Sequence, residues 1–437
     1  MTAHTAPAPL ASGGLENLQH LVHRQEHKLA ADILARQQST TPQPPRGWPA
    51  HIDGPRNWSR STSNQSPAHI TTLYGFGNAE VQAAMKRLGE LELDGDEVTR
   101  ERFLLPKLQS RLEKCAFDVH YGSGLCIIRG LNNEDYTVED STVIFLALAS
   151  YVGDQRGLQN SKGDMLSHVT ESKSWTVPRG RRHGIHTNDS LPFHNDMGCE
   201  ILSMQVRDQA DTGGHTCVAS IAAIYNDLVQ SNPWALHVLA EHNWPIQSSS
   251  RKDPPFVLSP LLEFHAGNLL VSMDPARIGP HPLSHDNSIP SLTPEQEEAL
   301  AILQSAAEKH QIQLETQPGD IVFINNLGLL HAREAYSDSA TSSRHLVRLW
   351  LRNTELGWAI PPSMKMPWDA AFGDRAAKVL NRYYPIVPMP EYMECKYSNG
   401  TAAFVADDDS SSDDSNGREV ISSTTGGDPW HQLEGNG

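Results

Sequence analysis

Short apolar runs separated by Gly, Pro, Asn and Asp dominate the polarity pattern of this chain. Runs that are rich in β-branched and aromatic residues and bounded by such turn residues are typical of strands. They predict strands within 122–130, 157–169, 201–207, 215–219, 258–274, 321–324 and 344–352. Apolar residues at helical spacing predict helices at 15–37, 79–91, 103–112, 138–151, 221–230 and 294–310. Because the two kinds of element do not alternate regularly, the pattern favours a mainly β protein, a sandwich or jelly roll with helical decoration.

Two helix starts carry recognisable capping residues. Thr293-Pro294-Glu295-Gln296 has the sequence of a capping box with Pro at the first helical position. Asn232 precedes Pro233 and is expected to cap a further helix.

The stretch 319–353 has the strongest pattern and predicts a strand, a loop and a second strand. Residues 321–324 suit a buried strand, and a polar, Ser-rich loop follows His331. Residues 344–352 alternate strictly, which places Arg344, Arg348 and Arg352 on one face. Buried guanidinium groups need anionic partners, because an unpaired buried charge is very costly. No neighbouring run of acids supplies them, so small anions brought to a metal held by His331 are one economical answer.

Charge is unevenly distributed along the 437 residues. The net charge is −17, and the segment from Asp407 onward has eight acidic residues with Arg418 as its only Lys or Arg. That segment is also rich in Ser and Gly, which predicts a disordered tail. The remaining body is mildly acidic, which argues against nucleic acid as a partner.

Cysteine content and the termini predict the compartment. The five cysteines are scattered and form no C-x-x-C pair, which favours reduced, buried thiols in an intracellular protein. No apolar run reaches the length of a membrane span, and the N-terminus lacks the features of a signal peptide. We therefore expect a cytoplasmic enzyme without a membrane partner.

His194-Asn195-Asp196 is the second candidate for metal chemistry. Residues i and i+2 of extended backbone point to the same side, so His194 and Asp196 can offer an imidazole and a carboxylate to one ion. Alone this is a weak signal, since a solvated loop uses the same residues. With His331 as a third ligand it becomes the two-His, one-carboxylate facial triad of non-haem Fe(II) oxygenases. Zinc also accepts such ligands, but a zinc site does not explain the arginines.

The arginines make the metal hypothesis more specific. A planar guanidinium suits a carboxylate in bidentate geometry. We expect Arg344 to hold the distal carboxylate of 2-oxoglutarate while the other end of that molecule chelates iron. Arg348 lies on the same face and is expected to bind an acidic group on the substrate. For each arginine, a surface ion pair is the alternative explanation. It explains Arg348 about as well as ligand binding does, and it explains Arg352 better.

These motifs resemble those of the taurine dioxygenase / 2,4-dichlorophenoxyacetate dioxygenase superfamily, which includes clavaminate-synthase-like proteins. The matching features are H-x-D at His194 and Asp196, GGHT ending at Thr216, PGDIVFINNLGLLHARE with His331, and R-x-x-x-R. The likeness covers about 122–358, and the upstream sequence is similar in style to fungal members. It implies a double-stranded β-helix core, Fe(II) and 2-oxoglutarate, with Thr216 hydrogen-bonded to 2-oxoglutarate.

The resemblance also implies a domain organisation and a reaction. We expect a disordered segment and helix over 1–45, a single catalytic jelly-roll domain with helical insertions over 46–396, and the acidic tail over 397–437. The expected reaction is hydroxylation, desaturation or cyclisation of a small, anionic molecule such as an amino acid or carboxylate, using O2 and releasing succinate and CO2. The loop at 188–190 matches no substrate-binding residue of the family, so the substrate is not identified.

Two other functions remain open at this point. One is a catalytically inert metal-binding jelly roll that serves as a scaffold or sensor, to which the acidic tail lends some weight. The other is a zinc-dependent hydrolase.

Several polar residues near the motifs are expected to be structural. His345 is on the strand face opposite the arginines and is expected to pack. Arg333 and Glu334 are expected to form an ion pair beside the metal loop. Asn325 and Asn326 are expected to brace that loop through bonds to the backbone.

Overall fold

Two main β-sheets with helices on their outer faces form the part of the chain that the structure describes. The computed structural model describes residues 43–59, 68–89, 95–160, 162–179, 182–247, 255–280 and 288–389. All of these residues belong to one compact unit. The predicted helix at 15–37 and the predicted acidic tail lie outside the described residues.

The strands are short, as the spacing of turn residues predicts. They are β1 (His69–Thr72), β2 (Leu125–Arg129), β3 (Gln155–Gly157), β4 (Leu166–Thr170), β5 (Leu191–His194), β6 (Ile201–Asp208), β7 (Thr212–Gly213), β8 (Thr216–Ser220), β9 (Trp244–Gln247), β10 (Phe256–Ser259), β11 (Leu262–His265), β12 (Asn268–Val271), β13 (Ile312–Gln313), β14 (Ile321–Asn325), β15 (Leu329–Arg333), β16 (Tyr336–Ser337) and β17 (His345–Arg352).

The helices lie between these strands. They are α1 (Phe76–Leu88), α2 (Gln109–Tyr121), α3 (Val138–Ala149), α4 (Ile221–Ser231), α5 (Pro233–Leu239), α6 (Pro294–His310), α7 (Lys365–Phe372) and α8 (Asp374–Ala377). Within the described ranges, no helix has both the length and the apolar composition needed to cross a membrane.

The larger sheet has the strand order β1-β2-β14-β6-β17-β3, and β4 also pairs with β17. Its β1–β2 pair is parallel, whereas β14, β6 and β17 pair with their neighbours in antiparallel fashion. The smaller sheet has the order β13-β8-β15-β5. Neighbouring strands in both sheets are far apart in the chain, so long-range pairing determines this core.

The inner faces of the two sheets form one apolar core. Leu346 and Trp350 of β17 belong to the same buried cluster as Val218 of β8 and Leu329 of β15. Contact between these side chains places the sheets face to face, which is the double-stranded β-helix, or jelly-roll, arrangement expected from the resemblance.

The outer face of each sheet is covered by helices. On the larger sheet, Phe323 and Leu349 pack in a cluster with Phe145 of α3. On the smaller sheet, Leu330 packs in a cluster with Leu303 of α6. The predicted alternation of β17 is therefore confirmed, because one face of the strand meets the inner core and the other meets the helical layer.

The helix predicted at 103–112 is displaced. The helix begins at Gln109 and continues to Tyr121. Pro106 disfavours helical backbone at the residue before it, so the apolar residues at 103–105 cannot join the helix. Phe103 and Leu105 are nevertheless buried, and the Tyr151 hydroxyl donates to the carbonyl of Phe103 and accepts from the amide of Leu105.

The two predicted helix starts have different outcomes. The capping box is present in full, with Thr293 accepting from the Gln296 amide and the Gln296 side chain accepting from the Thr293 amide. Pro233 does open α5, but the Asn232 side chain makes no capping bond and donates to the Ser231 hydroxyl instead. Pairing with β16 makes Thr212 and Gly213 the short strand β7.

Candidate metal centre

His194 and His331 face each other across two paired strands. His194 ends β5 and His331 lies in the middle of β15, and the antiparallel register of these strands sets the two residues opposite each other. Their ring centroids are 4.2 Å apart. The sequence pattern predicts a polar loop over 186–196, which is wrong at His194 because this residue ends a strand. β5 has only four residues and includes Pro192, so its own periodicity is too weak to indicate a strand.

Asp196 completes a three-residue cluster with the two histidines. One ligand atom from each of His194, Asp196 and His331 lies within 4.8 Å of the others. The Oδ1 atom of Asp196 is 3.9 Å from Nε2 of His331. Two imidazoles and one carboxylate at this separation have the composition of a facial triad.

Two asparagines determine the backbone path at Asp196. The Asn326 side chain accepts from the Asp196 amide at 3.0 Å and donates to the carbonyls of Asp196 and Cys199 at 2.7 and 2.8 Å. Asn195 points away from the cluster and donates to the carbonyls of Val271 and Asn326 at 2.9 and 3.0 Å. Asn326 therefore braces the backbone at Asp196, not the loop beside His331, and Asn195 adds to this bracing.

The two carboxylate oxygens of Asp196 have different surroundings. Oδ2 accepts from the Trp350 indole at 2.7 Å and from the Arg348 guanidinium at 3.0 Å. Oδ1 is buried and has no hydrogen-bond partner among the described residues. Because a buried oxygen without a partner is costly, Oδ1 is suited to a ligand that the protein itself does not supply.

The histidines are also prepared for a cation. Nδ1 of His194 donates to the carbonyl of Pro192 at 2.8 Å, which leaves Nε2 as the lone-pair nitrogen. Burial lowers the pKa of His331 to about 3, and His194 beside it contributes. His331 is therefore neutral near pH 7, which is the form that binds metals.

The charge of Asp196 depends on its neighbours. Complete burial alone would raise the pKa of the Asp196 carboxyl, but the Arg348 guanidinium and the two imidazoles more than offset this and hold it below its usual value. The carboxylate is therefore ionised near pH 7. The cluster thus fits a divalent cation, because it carries a negative charge, offers nitrogen and oxygen donors, and includes a ligand atom, Oδ1 of Asp196, without a partner among the described residues.

Arg344 and Thr216 both line a cavity of about 150 Å³. Thr216 begins β8 and Arg344 immediately precedes β17, while Met204 and Leu346 provide apolar wall. Arg344 Nε donates to the carbonyl of Gly214 at 2.8 Å. Its Nη1 is buried and unpartnered within the described part of the chain. Burial, with a contribution from nearby Arg333, lowers the pKa of Arg344 to about 10.

Gly214 allows Arg344 to take this position. Its φ of +73° lies in the left-handed region that favours glycine. A Cβ added there would lie 2.8 Å from Cδ of Arg344 and 3.0 Å from Cβ of Tyr336. Close packing against the Arg344 side chain thus explains Gly214, the second glycine of the GGHT motif.

Arg348 belongs to the metal cluster and does not line that cavity. Besides Asp196, its guanidinium contacts Gln159, to whose Oε1 the Arg348 Nε donates at 3.1 Å. Sequence reasoning missed both Gln159 and Trp350. Strand alternation contains a signal for Trp350, because it lies on the same face of β17 as Arg348.

The other polar residues have structural partners. His345 packs against His168 on the outer face, with Nε2 and Nδ1 at 2.8 Å. The predicted Arg333–Glu334 ion pair is wrong, because successive residues of a strand point to opposite faces. Arg333 donates to the backbone carbonyls of Gly184 and Asp189, whereas Glu334 pairs with His215 at 2.8 Å.

Comparison with known proteins gives matches over most of the described fold. The family model "Taurine catabolism dioxygenase TauD, TfdA family" matches residues 92–350. The taurine hydroxylase-like protein SAT17 of Stachybotrys chartarum is 33% identical over 305 residues, covering 67% of this chain and 78% of that protein. FR-33289 synthase of Streptomyces rubellomurinus is 27% identical over 327 residues, covering 72% of this chain and 93% of that protein.

A solved structure supports the fold independently. Asparagine oxygenase, in complex with Fe(II), a hydroxyasparagine and succinate, superposes with a TM-score of 0.52 at 16% identity. The match covers 65% of this chain and 93% of that one. At this level of identity the likeness confirms the double-stranded β-helix.

Proposed function

Because the chain belongs to the taurine catabolism dioxygenase TauD, TfdA family, we propose that it is an Fe(II)- and 2-oxoglutarate-dependent oxygenase acting on a small anionic molecule. The observation that supports this most is the cluster of His194, Asp196 and His331. Its ligand atoms lie within 4.8 Å of one another, and Oδ1 of Asp196 is unpartnered among the described residues.

In this proposal the three residues hold Fe(II) as a facial triad. His194 binds through Nε2, since its Nδ1 donates to Pro192. Asp196 binds through Oδ1, since two donors occupy Oδ2. Such a triad has three protein ligands and leaves the remaining positions of the metal open. When bound, Fe(II), 2-oxoglutarate and O2 supply the oxidation of a C–H bond, with release of succinate and CO2.

Arg344 and Thr216 hold the distal carboxylate of 2-oxoglutarate. A buried guanidinium whose Nη1 lacks a partner in the described residues is suited to a carboxylate, because the new bond is charge-assisted and shielded from water. Thr216 adds a hydroxyl at the same cavity, and Met204 and Leu346 form part of its apolar wall. These side chains bind and orient the co-substrate without taking part in bond cleavage.

The substrate we propose is a small molecule with an acidic group. The name of the relative SAT17, a taurine hydroxylase-like protein, is consistent with such a substrate. The reaction is a hydroxylation, or a desaturation or cyclisation that uses the same oxidant. We also propose a single catalytic domain over 46–396, in a protein of the cytoplasm that needs no nucleic acid or membrane partner.

Anaerobic spectroscopy on the purified full-length chain tests the cofactors. Addition of Fe(II) followed by 2-oxoglutarate should produce a weak charge-transfer band in the visible region. Absence of the band, together with tight zinc binding, would refute the oxygenase and favour the zinc hydrolase.

A substrate screen tests catalysis. Air and a panel of small amino acids, sulfonates and other acids are added to the Fe(II)-loaded protein, and succinate is measured. At least one acid should stimulate succinate release above the rate without substrate. A protein that shows the band but releases no succinate with or without any acid would instead be a metal-binding scaffold.

A further inference from the structure

Two side chains of one strand converge on a single oxygen of Asp196. Arg348 and Trp350 are two residues apart on β17 and share the face that points into the core. The Trp350 indole donates to Oδ2 of Asp196 at 2.7 Å, and the Arg348 guanidinium lies 3.0 Å from the same atom. Trp350 is fully buried and Arg348 is 5% exposed. Both contacts are therefore protected from competition with water.

Besides Asp196, Arg348 has a second hydrogen-bond partner that holds its guanidinium in place. Its Nε donates to Oε1 of Gln159 at 3.1 Å, and the Ser167 hydroxyl donates to the same oxygen at 3.2 Å. Gln159 is 1% exposed. A guanidinium fixed on both sides loses little conformational freedom when it binds Asp196, so the contact is preorganised.

We propose that Arg348 and Trp350 position Asp196 for metal binding, and that they restrict this carboxylate to one ligand atom. The two donors account for both lone-pair directions of Oδ2, which leaves Oδ1 as the oxygen that can bind a cation. A carboxylate restricted in this way takes one coordination position and not two. This inference rests on the proposed function, since it concerns the metal ligand that the function requires.

This positioning role differs from the substrate-binding role that the sequence predicts for Arg348. The positive charge of Arg348 already has an anionic partner, and that partner is Asp196. An arginine used only for substrate would affect the binding of substrate and leave the metal unaffected. A positioning arginine affects metal binding in the absence of any substrate, and this difference can be measured.

Titration of the metal-free full-length chain with Mn²⁺, followed by the loss of the free-ion EPR signal, provides the test. Mn²⁺ suits a site of imidazole and carboxylate ligands and needs neither 2-oxoglutarate nor substrate. Trp350→Phe removes the indole donor and keeps an aromatic ring. We expect its dissociation constant for Mn²⁺ to rise about 10- to 100-fold, the range typical when a partner of a metal ligand is lost.

Trp358→Phe is the matched control. Trp358 is also buried, and its indole donates to the carbonyl of His120 at 3.2 Å, not to a metal ligand. This variant removes a buried indole hydrogen bond of the same kind, and its Mn²⁺ affinity should stay within about two-fold of wild type, well below the loss expected from a metal-ligand partner. Equal losses in both tryptophan variants would overturn the proposal, because they would indicate general loosening of the core.

Arg348→Met provides a second, independent variant if Trp350→Phe does not fold by circular dichroism. It should also weaken Mn²⁺ binding by at least about ten-fold. Wild-type Mn²⁺ affinity in Arg348→Met, with only the substrate requirement altered, would overturn the positioning role and leave the proposed function intact. Failure of the wild-type chain to bind Mn²⁺, or to give the Fe(II)–2-oxoglutarate band, would overturn both.

Discussion

Replacing Arg344 by Met should raise the stability of the ligand-free protein and lower its affinity for 2-oxoglutarate. Burial lowers the pKa of Arg344 from its usual value to about 10. At about 1.36 kcal/mol for each pKa unit, the folded state disfavours this charge by roughly 3 kcal/mol. The full penalty is present at pH 7, because the guanidinium stays protonated in both folded and unfolded chains until the pH approaches 10.

Two native contacts of Arg344 offset part of this penalty. The bond from Nε to Gly214 contributes about 1 kcal/mol. The contact with the Tyr336 ring, 5.5 Å from its centroid, contributes about another 1 kcal/mol. Arg344→Met should therefore be more stable than wild type by about 1 kcal/mol in the absence of ligands. The arginine is then a residue retained for binding at some cost in stability.

The same substitution should greatly weaken co-substrate binding. Loss of one partner of a buried, charged hydrogen-bonded pair costs on the order of 2–5 kcal/mol. That corresponds to an increase of about thirty-fold to a few thousand-fold in the 2-oxoglutarate dissociation constant.

Urea unfolding with Mn²⁺ present, with and without 2-oxoglutarate, measures both effects. At a ligand concentration of about 100 times its dissociation constant, wild type should gain about 2.7 kcal/mol of stability. Arg344→Met should gain little at that concentration.

Arg352→Met is the control for Arg344→Met. Arg352 lies on the same face of β17 but stacks on Trp368 at 4.9 Å. Its loss should leave the 2-oxoglutarate effect unchanged. If 2-oxoglutarate stabilised Arg344→Met as much as it stabilises wild type, Arg344 would not be the residue that binds this co-substrate. If Arg344→Met were clearly less stable than wild type without ligand, the argument from burial of the charge would be refuted.

Three further predictions concern the ligands and the buried histidines. His331→Ala should abolish Mn²⁺ binding in the EPR titration, because two ligands remain; a wild-type affinity would contradict the triad. In the native protein Glu200 is 1% exposed, and its Oε1 lies 2.9 Å from Nε2 of His120. His120→Ala leaves this carboxylate buried without that partner, so the free energy of unfolding measured in urea should fall by about 3–5 kcal/mol. Acid should destabilise the protein through His168 and His345, whose pKa values burial lowers to about 4 and about 3. As the pH falls, the unfolded chain binds a proton at each histidine before the folded chain does. The stabilisation from the neutral rings is therefore fully present above about pH 6.5 and is lost as the pH falls from there to about 4. In urea titrations, the free energy of unfolding should decrease by about 2 kcal/mol for each histidine between pH 7 and 5. A flat profile over that range would contradict their burial as neutral rings.

Much of the local structure follows from the sequence because it depends on near neighbours. The capping box at Thr293 needs only contacts within one helical turn, and it is present as predicted. The alternation of β17 likewise assigns each side chain to the inner core or to the helical layer. The misplaced helix start near Phe103 is a local error, since Pro106 itself indicates that the helix begins after it.

The arrangement of the metal cluster shows where such local reasoning ends. H-x-D spacing places His194 and Asp196 on one side of an extended segment, and this needs only covalent geometry. It does not reveal that β15 pairs with β5 so that His331 lies opposite His194. That register depends on hydrogen bonds between strands that are distant in the chain, and neither strand is long enough to predict its own pairing.

By itself, the sequence determined the family motifs, the residue types of the triad and the face of β17 on which the arginines lie. Only the tertiary structure decided what those arginines contact. Strand alternation specifies the side to which Arg348 points, but the packing of the two sheets brings Asp196 there as its partner. The physical reason is that a strand determines side-chain direction locally, whereas the partner of a buried charge depends on which other segments are packed against it.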